Sequence, residues 1–591
     1  MKIALGQINI VQAQPQKNFE TMKEMVTSAK VQGADLIVFP QLSLTGYFLM
    51  DLWKKQEWID YCLGFNEKIC ELSDGIGICY GNIVRCDTDH RTLSNAVYFC
   101  QNRKWVKKEN AMLDGISVQH LTLNDRIFDD SRYFTASQTE PAVFLFEHEG
   151  KTVRIGTGTA NELTCADSSL LKYYTEKRTD YVIECSGMPW NVSCRPYESV
   201  SSAGIPVIHV SSCGMQNNGK NVFVYDGASC IYDGEGQCCY GLNDEFKEQL
   251  AVVDMDVNDR PQGCSSKLMK ALCCAIRNFD SQMFSPKMKW IVGLSGGLDS
   301  SITSSLLVYT LGADRVVGYN MASRYNSLTT KNNAAQLAER LGMKIREGSI
   351  EKIVDSTVDT LMDYGYEEAQ GLALENIQAR IRGHLLSSFA AAEGGVIVNN
   401  GNKVEAALGY CTLYGDAIGA LSPIADCTKV QLFELARQIN EAFGREVIPA
   451  NLLPVVYEDH VDWEFPPSAE LKDNQQDPMK WFYHDWLIST LMEQGEHGPE
   501  RIMKMYLDGS LQKGKMGRWI CHYGLDDPEA FITDLEWVVR TMQFASFKRI
   551  QFPPIITIST GAFGTDVREA QIKAEKTEEY GRLREAVLAM K

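Results

Sequence analysis

The chain has 591 residues, enough for two large domains or several smaller ones; 45% hydrophobic and 23% charged residues make a globular composition and exclude a disordered one. Its 58 basic and 76 acidic residues leave a net charge of −18. That balance disfavours nucleic acid and anionic membranes as partners, yet polyanionic small molecules can still be held by backbone amides and a metal ion.

The first segment, Met1–Ile10, is a short apolar stretch broken by Gly6, Gln7 and Asn9, which reads as a first strand and not as a signal peptide. A helix is expected over Asn18–Val31. Strands are expected over Lys2–Ile10, Asp35–Pro40, Gly77–Arg85, Asn95–Gln101, Thr152–Gly158, Tyr181–Ser186, Pro206–Ser211, Val222–Asp226 and Leu250–Val257. This pattern predicts a mixed α/β sandwich over residues 1–258. Residues 259–289 read as a linker, with Arg260-Pro261, Gly263 and Ser285-Pro286 around a helix at Leu268–Phe279. From residue 290 strands and helices alternate: strand Trp290–Gly293, helix Ile302–Leu311, strand Arg315–Asn320, helix Thr329–Leu341, strand Lys344–Gly348, helices across Val354–Glu393 and strand Gly395–Asn399. Such alternation predicts a doubly wound parallel sheet. The C-terminal ~140 residues read as mostly helical and end in a helix over Asp566–Met590. No run of about 18 apolar residues occurs, so no membrane span is expected. Eighteen cysteines without a CxxC pair, including the adjacent pairs Cys238-Cys239 and Cys273-Cys274, fit thiols of a reducing cytoplasm better than a disulfide scaffold.

The strongest chemical signal is IVGLSGGLDSS, Ile291 to Ser301. A strand ends at Gly293, and Gly296 and Gly297 let the backbone approach phosphate oxygens. The following helix presents unpaired amides and the positive end of its dipole. Ser295, Ser300 and Ser301 add hydroxyls, and Asp299 is placed to hold Mg2+ beside the phosphates. The GK[ST] ending of the Walker loop is missing.

This loop resembles the pyrophosphate loop of enzymes that split ATP into AMP and pyrophosphate. Five further segments, ENIQARIRG (375–383), NGNKVEAALGYCTLYGD (400–416), SPIADCTKVQLFELA (422–436), PPSAEL (466–471) and FKRIQFPP (547–554), are similar in order to NAD synthetase. The likeness covers nearly the whole chain and extends to the long form of that family, glutamine-dependent NAD synthetase, in which a nitrilase-like glutaminase domain of αββα sandwich type precedes an ATP-pyrophosphatase domain. The resemblance implies that ATP adenylates the carboxylate of nicotinic acid adenine dinucleotide and that ammonia displaces AMP to give NAD. It implies Asp299 and Glu405 as metal carboxylates, Arg380 and Asn400 near ATP, Lys429 near the triphosphate, Asp416 near the nicotinate moiety, and Lys403, Ser468 and Lys548 as substrate-binding positions. Family members usually carry GTGN before the lysine, where this chain has Asn399-Asn400-Gly401-Asn402; Asn400 keeps a hydrogen-bonding side chain. The resemblance also implies a cytoplasmic homo-oligomer.

The front half resembles the nitrilase-type amidase domain, whose chemistry needs a Glu base, a Lys for the oxyanion and a Cys nucleophile. FPQLSLTGY puts Gln41 at the Glu position, QHLTLNDRIFDDSRYF (119–134) puts Gln119 at the Lys position, and GTGTANELT (156–164) puts Ala160 at the Cys position, with Asn161 after it. Neither glutamine carries a charge and alanine has no nucleophile, so a pseudo-glutaminase is expected. The leading expectation is an ATP- and Mg2+-dependent NAD synthetase fed by free ammonia or by a separate glutaminase. The alternatives are a fully glutamine-dependent synthetase using another nucleophile such as Cys165, and a non-catalytic scaffold. A tRNA substrate is disfavoured by the acidic charge.

Overall fold

The computed structural model describes residues 1–85, 93–109, 114–118, 133–135, 141–160, 162–164, 168–195, 197–200, 204–243, 245–255, 259–261, 267–458, 460–473, 475–492 and 498–590. The chain forms two compact units: Met1–Asn218 with Val222–Ala275, and Gly219–Asn221 with Ile276–Lys591.

The first unit is built on two sheets. One carries, in spatial order, Gln249–Asp254, Lys2–Gln7, Leu36–Val38, Gly77–Arg85, Leu93–Gln101 and Lys104–Trp105, with Ile116–Val118 also paired to Leu93–Gln101. The other runs Cys238–Gly241, Cys230–Tyr232, Val207–Ser211, Tyr181–Ser186, Lys151–Thr159 and Val143–His148. Alternate side chains of each sheet meet in one apolar layer, with Leu5, Val38 and Phe99 from the first and Phe144, Ile183 and Val210 from the second. The outer faces are covered by helices. Pro15–Val31 packs on the first sheet through Phe19, Met22 and Val26, and Ser169–Glu176 covers the second through Leu171 and Tyr174. This is the αββα sandwich expected from the sequence. The strands Val143–His148, Cys230–Tyr232 and Cys238–Gly241 add to those read from the sequence.

In the second unit, four parallel strands lie in the order Lys344–Ser349, Val316–Ala322, Lys289–Gly293 and Gly395–Ile397. The strand Lys289–Gly293 therefore has one later strand on either side, so the connections diverge at its carboxyl end. That end of such a sheet is where a crevice opens and ligands bind. A helical layer closes the rest of the unit around Tyr483, Leu487, Ile502, Tyr506, Trp519 and Leu535.

The expected terminal helix is shorter than the sequence suggests, Glu578–Leu588. Thr577 caps it by accepting the amide of Tyr580, and Asp566 turns to the amide of Ala562 instead of entering a helix. Charge and periodicity extend across 566–590, but a threonine cap sets the start. A helix occupies Leu268–Met283 inside the segment expected as a linker. No described helix is long and apolar enough to cross a membrane.

One close approach controls the crevice. The helix Gly371–Glu393 meets the turn at Tyr414-Gly415 so tightly that a Cβ on Gly383 would stand 2.5 Å from Gly415 O and 2.6 Å from Tyr414 O. Gly383→Ala is expected to cost about 1–3 kcal/mol through overpacking. Thermal denaturation of that variant should show a midpoint several degrees below wild type; an unchanged midpoint contradicts the tight contact.

Candidate active site

The second unit contains a cavity of about 310 Å3 at the carboxyl ends of the parallel strands, lined by the SGGLDSS loop, by 319–322 and by 397–401. The loop owes its shape to Gly296, at φ +87°, where a Cβ would lie 1.9 Å from Thr330 O. Gly297 precedes the helix Leu298–Leu311. Its N–H is met by Ser295 Oγ at 3.2 Å, and Ser295 and Ser300 hydroxyls lie 3.2 Å apart. Ser301 turns its hydroxyl inward to Gly297 O at 2.7 Å.

Asp299, in the first turn of this helix, accepts Lys429 Nζ at 2.8 and 2.9 Å on its two oxygens. Asn402 Nδ2 adds a third bond to Asp299 at 3.0 Å. Asn402 is also the N-cap of the helix Lys403–Leu408, where its carbonyl oxygen accepts Val404 N and Glu405 N while its own N–H donates to Glu405 Oε2 at 3.1 Å. One asparagine thus ties both expected metal carboxylates together. The pattern Asn-x-x-Glu is a capping box readable in the sequence, and it was the available signal for Asn402.

The electrostatics follow from burial. Glu405 is held well above the usual carboxylate range, first by loss of water and then by the Asp299 charge, with Lys429 opposing. Burial pulls the Lys429 ammonium down, but Asp299 and Glu405 outweigh it and leave the pKa raised. Burial also raises Asp477 and Asp416. Among the described residues Asp477 Oδ1 and Asn400 Oδ1 have no hydrogen-bond partner, and both residues line the cavity. Among the described residues no group of three or more His, Cys, Asp or Glu side chains could hold a metal ion. Two carboxylates beside orphaned oxygens nevertheless suit Mg2+, a hard cation that takes most of its ligands from water and substrate phosphates. The residues present fit that ion.

Lys429 is braced from outside the cavity. Its backbone N–H and that of Val430 donate to Asp485 Oδ1 at 2.5 and 3.3 Å, and Asp485 Oδ2 accepts Phe482 N at 2.8 Å. The Trp481 ring centroid lies 5.2 Å from Lys429 Nζ. Asp485 and Trp481 carry no motif signal; the helix that bears Lys429 has its own capping box, Thr428 with Gln431, which hides the need for a further anchor.

Of the residues named from sequence, Gly293, Ser295, Gly297, Asp299, Ser300, Asn400, Glu405, Asp416, Lys429 and Ser468 line the cavity. Others do not. Gly296 packs against Thr330, and Ser301 is fully buried. Lys403 points into the interior, where Nζ bonds Asp426 at 3.0 Å and Ser559 at 2.9 Å. Lys548 donates to the carbonyls of Gly409 and Cys411 at the end of the helix Lys403–Leu408. Arg380 is exposed, with Nε 3.4 Å from Leu413 O. Its neighbour two positions on, Arg382, lines the cavity instead. Even Ser468 spends its hydroxyl within its own loop, donating to Gln475 O at 2.7 Å and accepting Glu470 N at 3.1 Å.

In the first unit, Gln41 and Ala160 meet. Gln41 is fully buried, its Oε1 accepts Ala160 N at 3.3 Å, and its Nε2 has no partner among the described residues. Ala160 follows the strand Lys151–Thr159 at φ +53°, a left-handed corner unusual for alanine. Gln119, Asn161 and Cys165 lie outside the described residues.

A sandwich unit with a strand-end corner, and a second unit with a phosphate loop at a parallel-sheet switch point, together define a protein that joins an amidase-type and a nucleotide-type unit. Family comparison agrees: residues 2–98 match the carbon-nitrogen hydrolase family and residues 269–512 match NAD synthase. The chain is 30% identical over 595 residues to the glutamine-dependent NAD(+) synthetase of Synechocystis sp., covering 96% of this chain and 97% of that protein. It is 28% identical to the glutamine-dependent NAD(+) synthetase of Acinetobacter baylyi, covering 80% and 84%. The solved glutamine-dependent NAD+ synthetase of Acinetobacter baumannii, in complex with adenosine diphosphate, superposes with a TM-score of 0.67 at 24% identity, covering 96% and 97% of the two chains. That of Cytophaga hutchinsonii gives 0.72 at 15% identity, covering 99% of each. The chain belongs to the glutamine-dependent NAD(+) synthetase family.

If Trp481 and Asp485 hold Lys429 in place, Trp481→Leu removes a partly desolvated cation–π contact worth about 1–2 kcal/mol. Titration calorimetry should then show about tenfold weaker ATP binding, with Trp481→Phe intermediate and Asp485→Asn also impaired. Equal affinity in Trp481→Leu and wild type removes the brace from the account.

Proposed function

We propose that the second unit makes NAD from nicotinic acid adenine dinucleotide, ATP and ammonia, and that the first unit no longer hydrolyses glutamine. The observation that carries the synthetase reading is Asp299, set in the first turn of the phosphate-loop helix and held by Lys429 and Asn402 beside Glu405. Carboxylate is a poor acyl donor, and transfer to the α-phosphate of ATP gives it a good leaving group. The substrate carboxylate oxygen attacks the α-phosphorus and pyrophosphate departs. Ammonia then adds to the acyl carbon and AMP leaves with that oxygen.

Ser295, Gly297 and Ser300 supply the hydroxyl and amide donors for the departing pyrophosphate, helped by the helix dipole. Lys429 turns from Asp299 to the phosphate oxygens and stabilises the charge that develops. Asp299 and Glu405 would hold Mg2+, which neutralises phosphate charge when bound. Asp416, made a better proton acceptor by burial, takes the proton that the attacking nitrogen loses.

The loss of glutaminase chemistry rests on Gln41 against Ala160 and on Gln119 in the sequence. A glutamine in the base position cannot accept a proton, and alanine cannot form a thioester. The relatives' shared description as glutamine-dependent favours a second reading, in which another thiol serves as nucleophile.

Purified protein with nicotinic acid adenine dinucleotide and Mg-ATP is expected to form NAD and AMP in equal amounts with ammonium. With ammonium-free glutamine it is expected to form none. Asp299→Ala should lower the ammonium-dependent rate by about 100-fold or more. Equal NAD from glutamine overturns the loss of the first activity; no NAD from either donor overturns the synthetase reading.

A further inference from the structure

We propose that Arg382 is a substrate-binding residue of the cavity, taking an oxyanion of the bound substrates, either a phosphate of ATP or the carboxylate of the dinucleotide. This rests on the synthetase reading of the same site. Arg380 and Arg382 stand two residues apart on the helix Gly371–Glu393, about 200° around its axis. They therefore face opposite ways: Arg380 is exposed and Arg382 lines the cavity.

Among the described residues the guanidinium is held at two points. Nε donates to Met321 O at 3.1 Å, at the carboxyl end of the strand Val316–Ala322, and Nη2 reaches Asn326 Oδ1 at 3.3 Å. Both partners are neutral, so the described contacts aim the fork without neutralising it. Five N–H donors in a planar fork suit a phosphate or a carboxylate in two-point contact.

Three carboxylates influence Arg382 from nearby, Asp416, Glu351 and Glu470, yet each has partners of its own. Glu351 is bound by Arg324. Glu470 accepts Asn326 Nδ2 at 3.0 Å and the Thr330 hydroxyl at 2.9 Å. Asp416 accepts Thr412 N at 2.5 Å. Among the described residues no carboxylate is hydrogen-bonded to Arg382, while the charges of Asp416, Glu351 and Glu470 act on it from farther off. Loss of water brings its pKa down to about 10, against the pull of those carboxylates, so it stays charged at neutral pH. An anion delivered by the substrate would relieve that desolvation. A tie between the helix and the Met321–Asn326 segment alone requires hydrogen-bond donors but no charge.

The test is calorimetric binding of ATP, nicotinic acid adenine dinucleotide and NAD to full-length wild type, Arg382→Gln and Arg382→Lys, with thermal midpoints and ammonium-dependent NAD formation measured alongside. Arg382→Gln keeps an amide donor near the Nε position but loses the charge and the fork, and Arg382→Lys keeps the charge. The expected result is at least about tenfold weaker binding in Arg382→Gln, partly restored in Arg382→Lys. A loss confined to ATP assigns the phosphate. A loss confined to the acid dinucleotide, with NAD binding unaltered, assigns the carboxylate. Unchanged affinities for both substrates in Arg382→Gln overturn the assignment while wild-type NAD formation leaves the synthetase reading standing. Weaker binding in Arg382→Gln that is accompanied by a lowered midpoint and not restored in Arg382→Lys also overturns it, because a structural tie explains that pattern.

Discussion

Lys429 and Asp299 form a nearly buried ion pair, with side chains 4% and 16% exposed, at the start of the phosphate-loop helix. Removing two charges from water costs several kcal/mol for each ion, and breaking such a pair by deleting one partner costs about 3–5 kcal/mol. A pair of this kind contributes little net stability and persists where its position is useful. Here it fixes a cation and a carboxylate at the phosphate-loop side of the cavity. Lys429 bonds both oxygens of Asp299, and Asn402 spans Asp299 and Glu405. The surrounding architecture serves that arrangement. A parallel sheet puts the loop at a switch point, a capped helix delivers Glu405, and Asp485 and Trp481 fix the backbone and amine of Lys429 from behind.

The first unit shows a different physical logic. Its sandwich keeps a closed apolar layer, and its strand-end corner at Ala160 keeps a strained backbone that catalytic nucleophiles commonly occupy. The side chain that meets that corner is neutral. Gln41 is neutral and sits fully buried against an amide, where a carboxylate would need a counter-charge.

Much of this was legible in the sequence because the signals are local. Glycines, serines and an aspartate between a strand and a helix make a loop suited to phosphate, and Asp299, Glu405 and Lys429 do share one cavity. What the sequence left undecided is which way a side chain points. A motif match put the ATP-facing arginine at Arg380, whereas helix rotation exposes that residue and turns Arg382 inward. Lys403 and Lys548 sit in matching motifs, yet Asp426 and two helix-end carbonyls claim their amines. Asp477, Asp485 and Trp481 were missed because their partners lie far away in the chain. The terminal helix was drawn too long because charge periodicity continues past Thr577, where the cap begins it.

The central claim is that a substrate carboxylate is activated on the α-phosphate of ATP inside the cavity bounded by SGGLDSS. Positional oxygen labelling tests it most directly. Nicotinic acid adenine dinucleotide carrying 18O at both oxygens of its nicotinate carboxylate is turned over with Mg-ATP and ammonium, and the products are weighed by mass spectrometry. The account predicts one 18O in AMP for each NAD formed and none in pyrophosphate. AMP without label, or label in pyrophosphate or inorganic phosphate, contradicts it.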